Sequence, residues 1–125
     1  MQRELNETDL KRWLEAYEKA WESRDAELVV RLFTTDASYR ETPFAEAFEG
    51  REAIRDYWSR VTADQSDIDF EFEIIAMNGA TGIAQWSAKF RTKSGDVPVE
   101  LNGVFVLEFA GPTEVRSLRE WWHAQ

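Results

Sequence analysis

The sequence predicts an α+β domain in which three helices from the first half pack on a strongly curved antiparallel sheet built mainly from the second half. Three observations carry that prediction. Apolar residues recur at helical spacing as far as Val61, they alternate from Asp67 onward, and 14% of the 125 residues are aromatic, with tryptophan alone contributing six. Helical and strand patterns segregated along a chain place helices on one face of an antiparallel sheet. Strands of about ten residues twist and curl, and a curled sheet covered by helices forms a cone whose wide end is a pocket.

The first helix is carried by Leu10, Trp13, Leu14, Tyr17, Ala20 and Trp21, a spacing that puts one stripe on one helix face, with Thr8 or Asn6 as its cap. Arg24-Asp25 interrupts the pattern. Asp25 caps a second helix whose Leu28, Val29, Leu32 and Phe33 share a face and which ends near Thr34-Thr35-Asp36. Residues 37–42 read as a short strand stopped by Pro43, which has no N–H for a ladder, and Tyr39 and Glu41 then point to one side. After a loop through Phe44 and Phe48, Gly50 precedes a third helix at residues 51–61, with Ile54, Tyr57, Trp58 and Val61 on its apolar side.

Turn signals at Asn78-Gly79, Ser94-Gly95-Asp96 and Ala110-Gly111-Pro112 divide the remainder into four strands near residues 68–77, 83–92, 97–109 and 114–123. The third alternates cleanly, with Val99, Leu101, Phe105, Leu107 and Phe109 on one face and Glu100, Asn102 and Glu108 on the other. No repeat or linker divides the chain, so residues 1–125 read as one domain with 1–8 as a loose N-terminal segment.

Composition narrows the function. Fifteen basic against twenty-four acidic residues give a net charge of −9, which removes the electrostatic basis of nucleic-acid binding. The absence of cysteine removes disulfides, thiolate nucleophiles and thiolate metal sites, and the single histidine, His123, removes a histidine-cluster metal site. The polar N-terminus has no signal-like apolar stretch and no membrane-length apolar run follows, so the expected location is cytoplasmic. No phosphate loop, dinucleotide fingerprint or nucleophile elbow occurs, and no cofactor or metal is implied.

The element order, the string Leu32-Phe33-Thr34-Thr35-Asp36-Ala37-Ser38-Tyr39, the helix start Gly50-Arg51-Glu52-Ala53-Ile54 with Tyr57-Trp58, and the terminal Glu120-Trp121-Trp122 together resemble the nuclear transport factor 2-like superfamily and its SnoaL-like branch. The resemblance spans roughly residues 9–123. It implies a cystatin-like cone, a small-molecule pocket and pairing of two copies through the outer sheet face, where Val104 and Val106 supply apolar surface. The superfamily holds enzymes, binding proteins and scaffolds, so fold alone does not assign activity. Laid on the ketosteroid isomerases, Asp25 and Asp36-Ala37 match without gaps, Tyr17 falls on the tyrosine that donates to the enolate and Glu41 on the aspartate that moves the proton. The third catalytic position falls near Phe105, which cannot donate to an oxyanion and argues against steroid isomerisation. The SnoaL-like cyclases imply a carboxylate on the last strand, where Glu120 stands. Epoxide hydrolases of the superfamily imply an arginine between carboxylates, a place Arg91 or Arg119 would fill.

The expected catalytic set is therefore Glu41, Tyr17 and Glu120. The bland alternatives are a core role for Tyr17, a solvated Glu41 with Arg40 turned inward, and a wet outer row of Glu114, Arg116, Arg119 and Glu120. A one-residue slip of the last strand would exchange Glu120 for Arg119. The expected ligand-binding residues are Phe33, Tyr39, Tyr57, Trp58, Trp86, Phe105, Leu118 and Trp122, around a small, largely apolar molecule. The competing functions are acid/base catalysis of isomerase or cyclase type and non-catalytic binding or scaffolding by a homodimer.

Overall fold

A computed structural model describes residues 4–125. Its elements are α1 (Glu7–Glu22), α2 (Ala26–Val30), β1 (Phe33–Arg40), β2 (Phe48–Glu49), α3 (Gly50–Thr62), β3 (Gln65–Asn78), β4 (Thr81–Thr92), β5 (Pro98–Phe109) and β6 (Val115–Ala124). The strands form one curved, unclosed six-stranded sheet in the order β2-β1-β6-β5-β4-β3. β3 to β6 are antiparallel neighbours, whereas β1 lies parallel to β6, a pairing reached through the long crossover that contains α3. Among the described residues no helix is long and apolar enough to cross a membrane.

Each helix follows from its sequence. All six residues of the predicted α1 stripe are buried, and Asn6 closes the N-terminus by accepting from the backbone N–H of Thr8 and Asp9 while the Asp9 carboxylate accepts from the Asn6 N–H. Of the expected loose segment 1–8, residues 1–3 lie outside the described residues, and 6–8 form this cap and first turn. Asp25 caps α2 through Glu27 and Leu28 N–H. α2 ends earlier than its apolar spacing suggests, because the Leu32 carbonyl turns away to accept from Val115 N–H and the Trp13 indole, and Phe33 already begins β1. Gly50 starts α3 at φ +87°, a conformation that only glycine adopts without strain. Arg51 then ties the helix start to Phe33 O and to Glu114.

The inward side of the sheet has two halves. At one end Leu10, Trp13, Phe33, Leu107, Phe109, Val115 and Leu118 form a packed core, in which the Trp13 ring meets Phe33 at 5.7 Å and Phe109 at 6.1 Å edge-on. At the other end the inward face borders a cavity. There Gly103 lets two tryptophans close in, since a Cβ at this position would lie 2.7 Å from Trp122 Cβ and 3.0 Å from Trp86 Cζ2.

Candidate functional site

The open end of the sheet holds a cavity of about 360 Å³. Tyr17 and Trp21 reach it from α1, Tyr57, Trp58 and Val61 from α3, Trp86 and Phe90 from β4, and Glu120 and Trp122 from β6. Tyr39 and Glu41 enter at the end of β1, and Val99, Leu101, Gln65 and Ala124 complete the wall. The parallel register of β1 and β6, with Tyr39 opposite Leu118 and Arg40 opposite Arg119, carries Glu41 and Glu120 to the same end of adjacent strands.

The direction of Glu120 is set by an irregularity in β6. Val115 pairs with Phe109 and points inward, but the register shifts before Ser117 pairs with Glu108, so Leu118, Glu120 and Trp122 take the inward positions. Glu120 is 5% exposed, while Arg119 and Trp121 face outward with the guanidinium 5.7 Å from the indole ring. Tyr39 Oη donates to Glu120 Oε2 at 2.8 Å, and the Tyr17 and Tyr39 hydroxyls are 3.3 Å apart, so a hydrogen-bonded chain runs from α1 through β1 to β6. Burial pushes the Glu120 carboxyl up to about 8; the Tyr39 hydrogen bond opposes that shift and the Glu41 charge reinforces it. Burial, and then the proximity of Glu120, raises both Tyr17 and Tyr39 well above an ordinary phenol, so both remain donors.

Glu41 sits differently. It is half-buried, accepts from Tyr57 Oη at 2.7 Å, and its backbone carbonyl accepts from Trp122 Nε1 at 2.8 Å. Burial and then the hydrogen bond to Glu41 keep the Tyr57 phenol protonated well above its usual range. Arg40 does not turn inward; its guanidinium donates to the Ala45 carbonyl and braces the loop after β1.

The three expected catalytic side chains, Tyr17, Glu41 and Glu120, thus surround one space, as do Tyr39, Tyr57, Trp58, Trp86 and Trp122. Phe33, Phe105 and Leu118 do not line it. They point inward as their strand parity requires, but they lie deeper, where Phe105 packs against Tyr17 at 5.4 Å and Trp86 at 5.3 Å and Phe33 packs under Trp13. The arginine expected between the carboxylates is also absent from the wall: Arg91 is held by Asp96 in the exposed β4–β5 turn, and Arg119 lies on the outer face. Sequence reasoning missed Trp21, Val61, Gln65, Phe90, Val99, Leu101 and Ala124 as lining residues. Parity would have found Phe90, two residues beyond Ala88 on the inward side, and Val99 and Leu101, already assigned to that face. Gln65, whose Oε1 accepts from Trp21 Nε1 at 2.8 Å, carries no sequence signal.

Trp58 Nε1 and Trp86 Nε1 are buried without an acceptor among the described residues, each indole being enclosed by neighbouring rings. His123 is exposed, and among the described residues no group of three His, Cys, Asp or Glu side chains is arranged to hold a metal ion. The chemistry of the wall is that of two carboxyl groups, hydroxyl donors and ring faces.

Helices over a curved open sheet, with an aromatic cavity at its end, define a ketosteroid isomerase-like fold within the nuclear transport factor 2-like superfamily. Residues 10–113 match the SnoaL-like domain, and the chain belongs to that family. It is similar to the steroid Delta-isomerase of Nocardioides simplex, with 22% identity over 94 residues, 75% of this chain and 73% of that protein. Among solved structures it resembles SalBIII, an epoxide hydrolase/cyclase-like enzyme with a role in pyran ring formation in the polyether salinomycin, with a TM-score of 0.80, 24% identity and coverage of 94% and 93% of the two chains. It also resembles a ketosteroid isomerase-like protein from Catenulispora acidiphila, solved in complex with trimethylamine, with a TM-score of 0.76, 18% identity and coverage of 86% and 82%.

Proposed function

We propose that this SnoaL-like protein is an acid/base catalyst of isomerase or cyclase type, working without a cofactor on a small, largely apolar molecule held in the aromatic cavity. The observation that carries the reading is the unequal environment of two carboxyl groups on one cavity. Glu120 is deeply buried with its pKa raised to about 8, whereas Glu41 is half-buried and held by a tyrosine donor. Such a pair divides the work of moving protons at neutral pH.

In this scheme Glu41 takes a proton from a carbon beside a carbonyl, or from an attacking hydroxyl. The electron pair released moves to a carbonyl oxygen, or breaks the C–O bond of an epoxide, and Glu120 supplies the proton or hydrogen bond to the oxygen that gains charge. Returning the proton elsewhere on the molecule gives a net isomerisation or ring closure with no atom gained. Tyr17 acts through Tyr39 on Glu120. The known activities of the steroid isomerase and of SalBIII both fit this proton bookkeeping. Phe105 and the missing cavity arginine leave Glu120 as the acid of the proposed set.

The test is a panel of cyclic β,γ-unsaturated ketones and hydroxy-epoxides, followed by absorbance and NMR. Turnover above the uncatalysed rate is expected, falling by about 10²-fold or more in Glu41→Gln. A panel converted no faster than in buffer, or turnover indifferent to Glu41→Gln, removes the mechanism.

A second reading, a non-catalytic dimeric binding domain, is favoured by the outer sheet face. There Ile83 adjoins Val106 and Val104 adjoins Trp121, which is 42% exposed. It predicts a ligand recovered unchanged and a dimer in light scattering that Trp121→Glu dissociates.

A further inference from the structure

We propose that the polar part of the ligand is a cation, an amine or quaternary ammonium group seated against the aromatic wall beside Glu41 and Glu120. This deepens the preceding reading and rests on it, since both require the same cavity to be the ligand site.

The composition of the wall is the first argument. Of the fifteen residues that line the cavity, eight are aromatic, two are glutamates, and none is lysine, arginine or histidine. Tyrosine and tryptophan faces attract a cation through the negative potential above the ring, and in a desolvated site this favours a cation over a neutral group of equal shape by about tenfold or more. An anion meets the opposite situation, with two carboxyl groups, no basic side chain, and a net charge of −9 on the whole chain.

The second argument is the state of Glu120. A buried carboxyl group is ordinarily paired with a cation or neutralised. Here the groups that face it are Tyr39 from β1, Tyr17 from α1, Tyr57 from α3 and Glu41 from the loop after β1, and none is basic. The arginines near the cavity do not face Glu120: Arg40 donates to the Ala45 carbonyl, Arg119 lies on the outer face over Trp121, and Arg60, exposed on α3, acts on the Tyr57 phenol. The protein thus supplies no counter-charge for the ionised form of Glu120. A ligand ammonium group supplies it, relieves the repulsion between the two glutamates and makes Glu120 a stronger acid, so binding releases a fraction of a proton to solvent while the remainder stays on Glu120 for transfer.

The experiment uses two soluble probes of the same shape, choline and 3,3-dimethylbutan-1-ol, which differ in a positive nitrogen against a neutral carbon. Calorimetric titration is run in buffers of differing ionisation enthalpy, with tryptophan fluorescence as a second signal. Choline binding at least about tenfold tighter than the alcohol, with proton release for choline alone, is the expected result. Glu41→Gln is expected to weaken choline about tenfold and leave the alcohol unchanged, and the proton count on the unsubstituted protein stands whether or not that variant folds. Equal binding of both probes, or equal loss of both in Glu41→Gln, overturns the cationic ligand and leaves the apolar cavity standing. Failure of both probes to bind overturns the cationic ligand and the shared premise that this cavity is the ligand site.

Discussion

The two ends of the sheet's inward face are built on the same strands by the same alternation, yet they hold different chemistry. On β5 the inward residues change from Phe109, Leu107 and Phe105 at the packed end to Gly103, Leu101 and Val99 at the cavity; on β6 they change from Val115 and Leu118 to Glu120, Trp122 and Ala124. At the packed end every inward position is apolar and covered by a helix. At the open end polar groups and small residues enter the row, and the covering is left incomplete. Period-two alternation therefore tells which way a side chain points, whereas its position along the strand tells whether it meets another side chain or open space.

The largest expected effect follows from that contrast. Phe105 is fully buried and its ring lies within 5.3 to 6.4 Å of the rings of Trp86, Tyr17 and Phe70, so Phe105→Ala leaves a hole on three sides and is expected to cost about 3–5 kcal/mol in urea unfolding. Trp122→Phe at the open end removes less packing and one hydrogen bond to Glu41 O, and is expected to cost about 1–2 kcal/mol while altering ligand binding. Similar losses for the two variants would erase the distinction between core and cavity wall.

Much of this arrangement was legible in the sequence because it rests on periodicity. The α1 stripe, the Asp25 cap and the inward face of β5 all follow from spacing alone. What was not legible depends on contacts far apart in the chain. The facing of Glu120 hinges on the shift between Val115 and Ser117; unbroken alternation from Val115 would have sent Arg119 and Trp121 inward instead. Phe105 points the expected way but lies too deep, since strand parity carries no information about where the helices stop; Phe33 reads as helical yet begins β1, and Leu118 is buried below the cavity wall. β2, only Phe48–Glu49, is too short to show a period. The Tyr17–Tyr39–Glu120 chain joins residues 22 and 81 positions apart, and no local pattern encodes it.

The next effect tests the buried state of Glu120 through pH. Glu120 has an ordinary value near 4.5 in the unfolded chain and about 8 in the folded one, so between those limits the unfolded state ionises first and the native state holds its proton. Unfolding then releases a proton, and this group's contribution makes stability fall as pH rises from about 4.5 to about 8 and level off above. Glu120→Gln lacks that titration but keeps an acceptor for Tyr39. The variant is expected to match the parent near pH 5 and to exceed it by a few kcal/mol near pH 9, a difference in which the shared groups cancel. Parallel stability curves across this range would show that Glu120 is not held neutral by its surroundings.

The smallest effect contrasts the tyrosines that serve the two carboxyl groups. Tyr39 is 1% exposed, and its hydroxyl lies between Glu120 and the Tyr17 hydroxyl, so Tyr39→Phe deprives two buried groups at once; a loss of about 1–3 kcal/mol is expected. Tyr57 serves Glu41 alone, in a half-buried position where water can replace it, and its ring keeps its packing on Phe48 at 4.6 Å when only the hydroxyl is removed. Tyr57→Phe is therefore expected to cost about 1 kcal/mol or less. The same ordering should appear in pH dependence. Tyr39→Phe removes the hydrogen bond that holds the Glu120 pKa down, so the fall in stability still begins near pH 4.5 but continues to higher pH, whereas Tyr57→Phe leaves its upper end where it is. Equal costs and equal pH profiles for the two variants would mean that the cavity treats its glutamates alike, and the division of labour between acid and base would lose its physical basis.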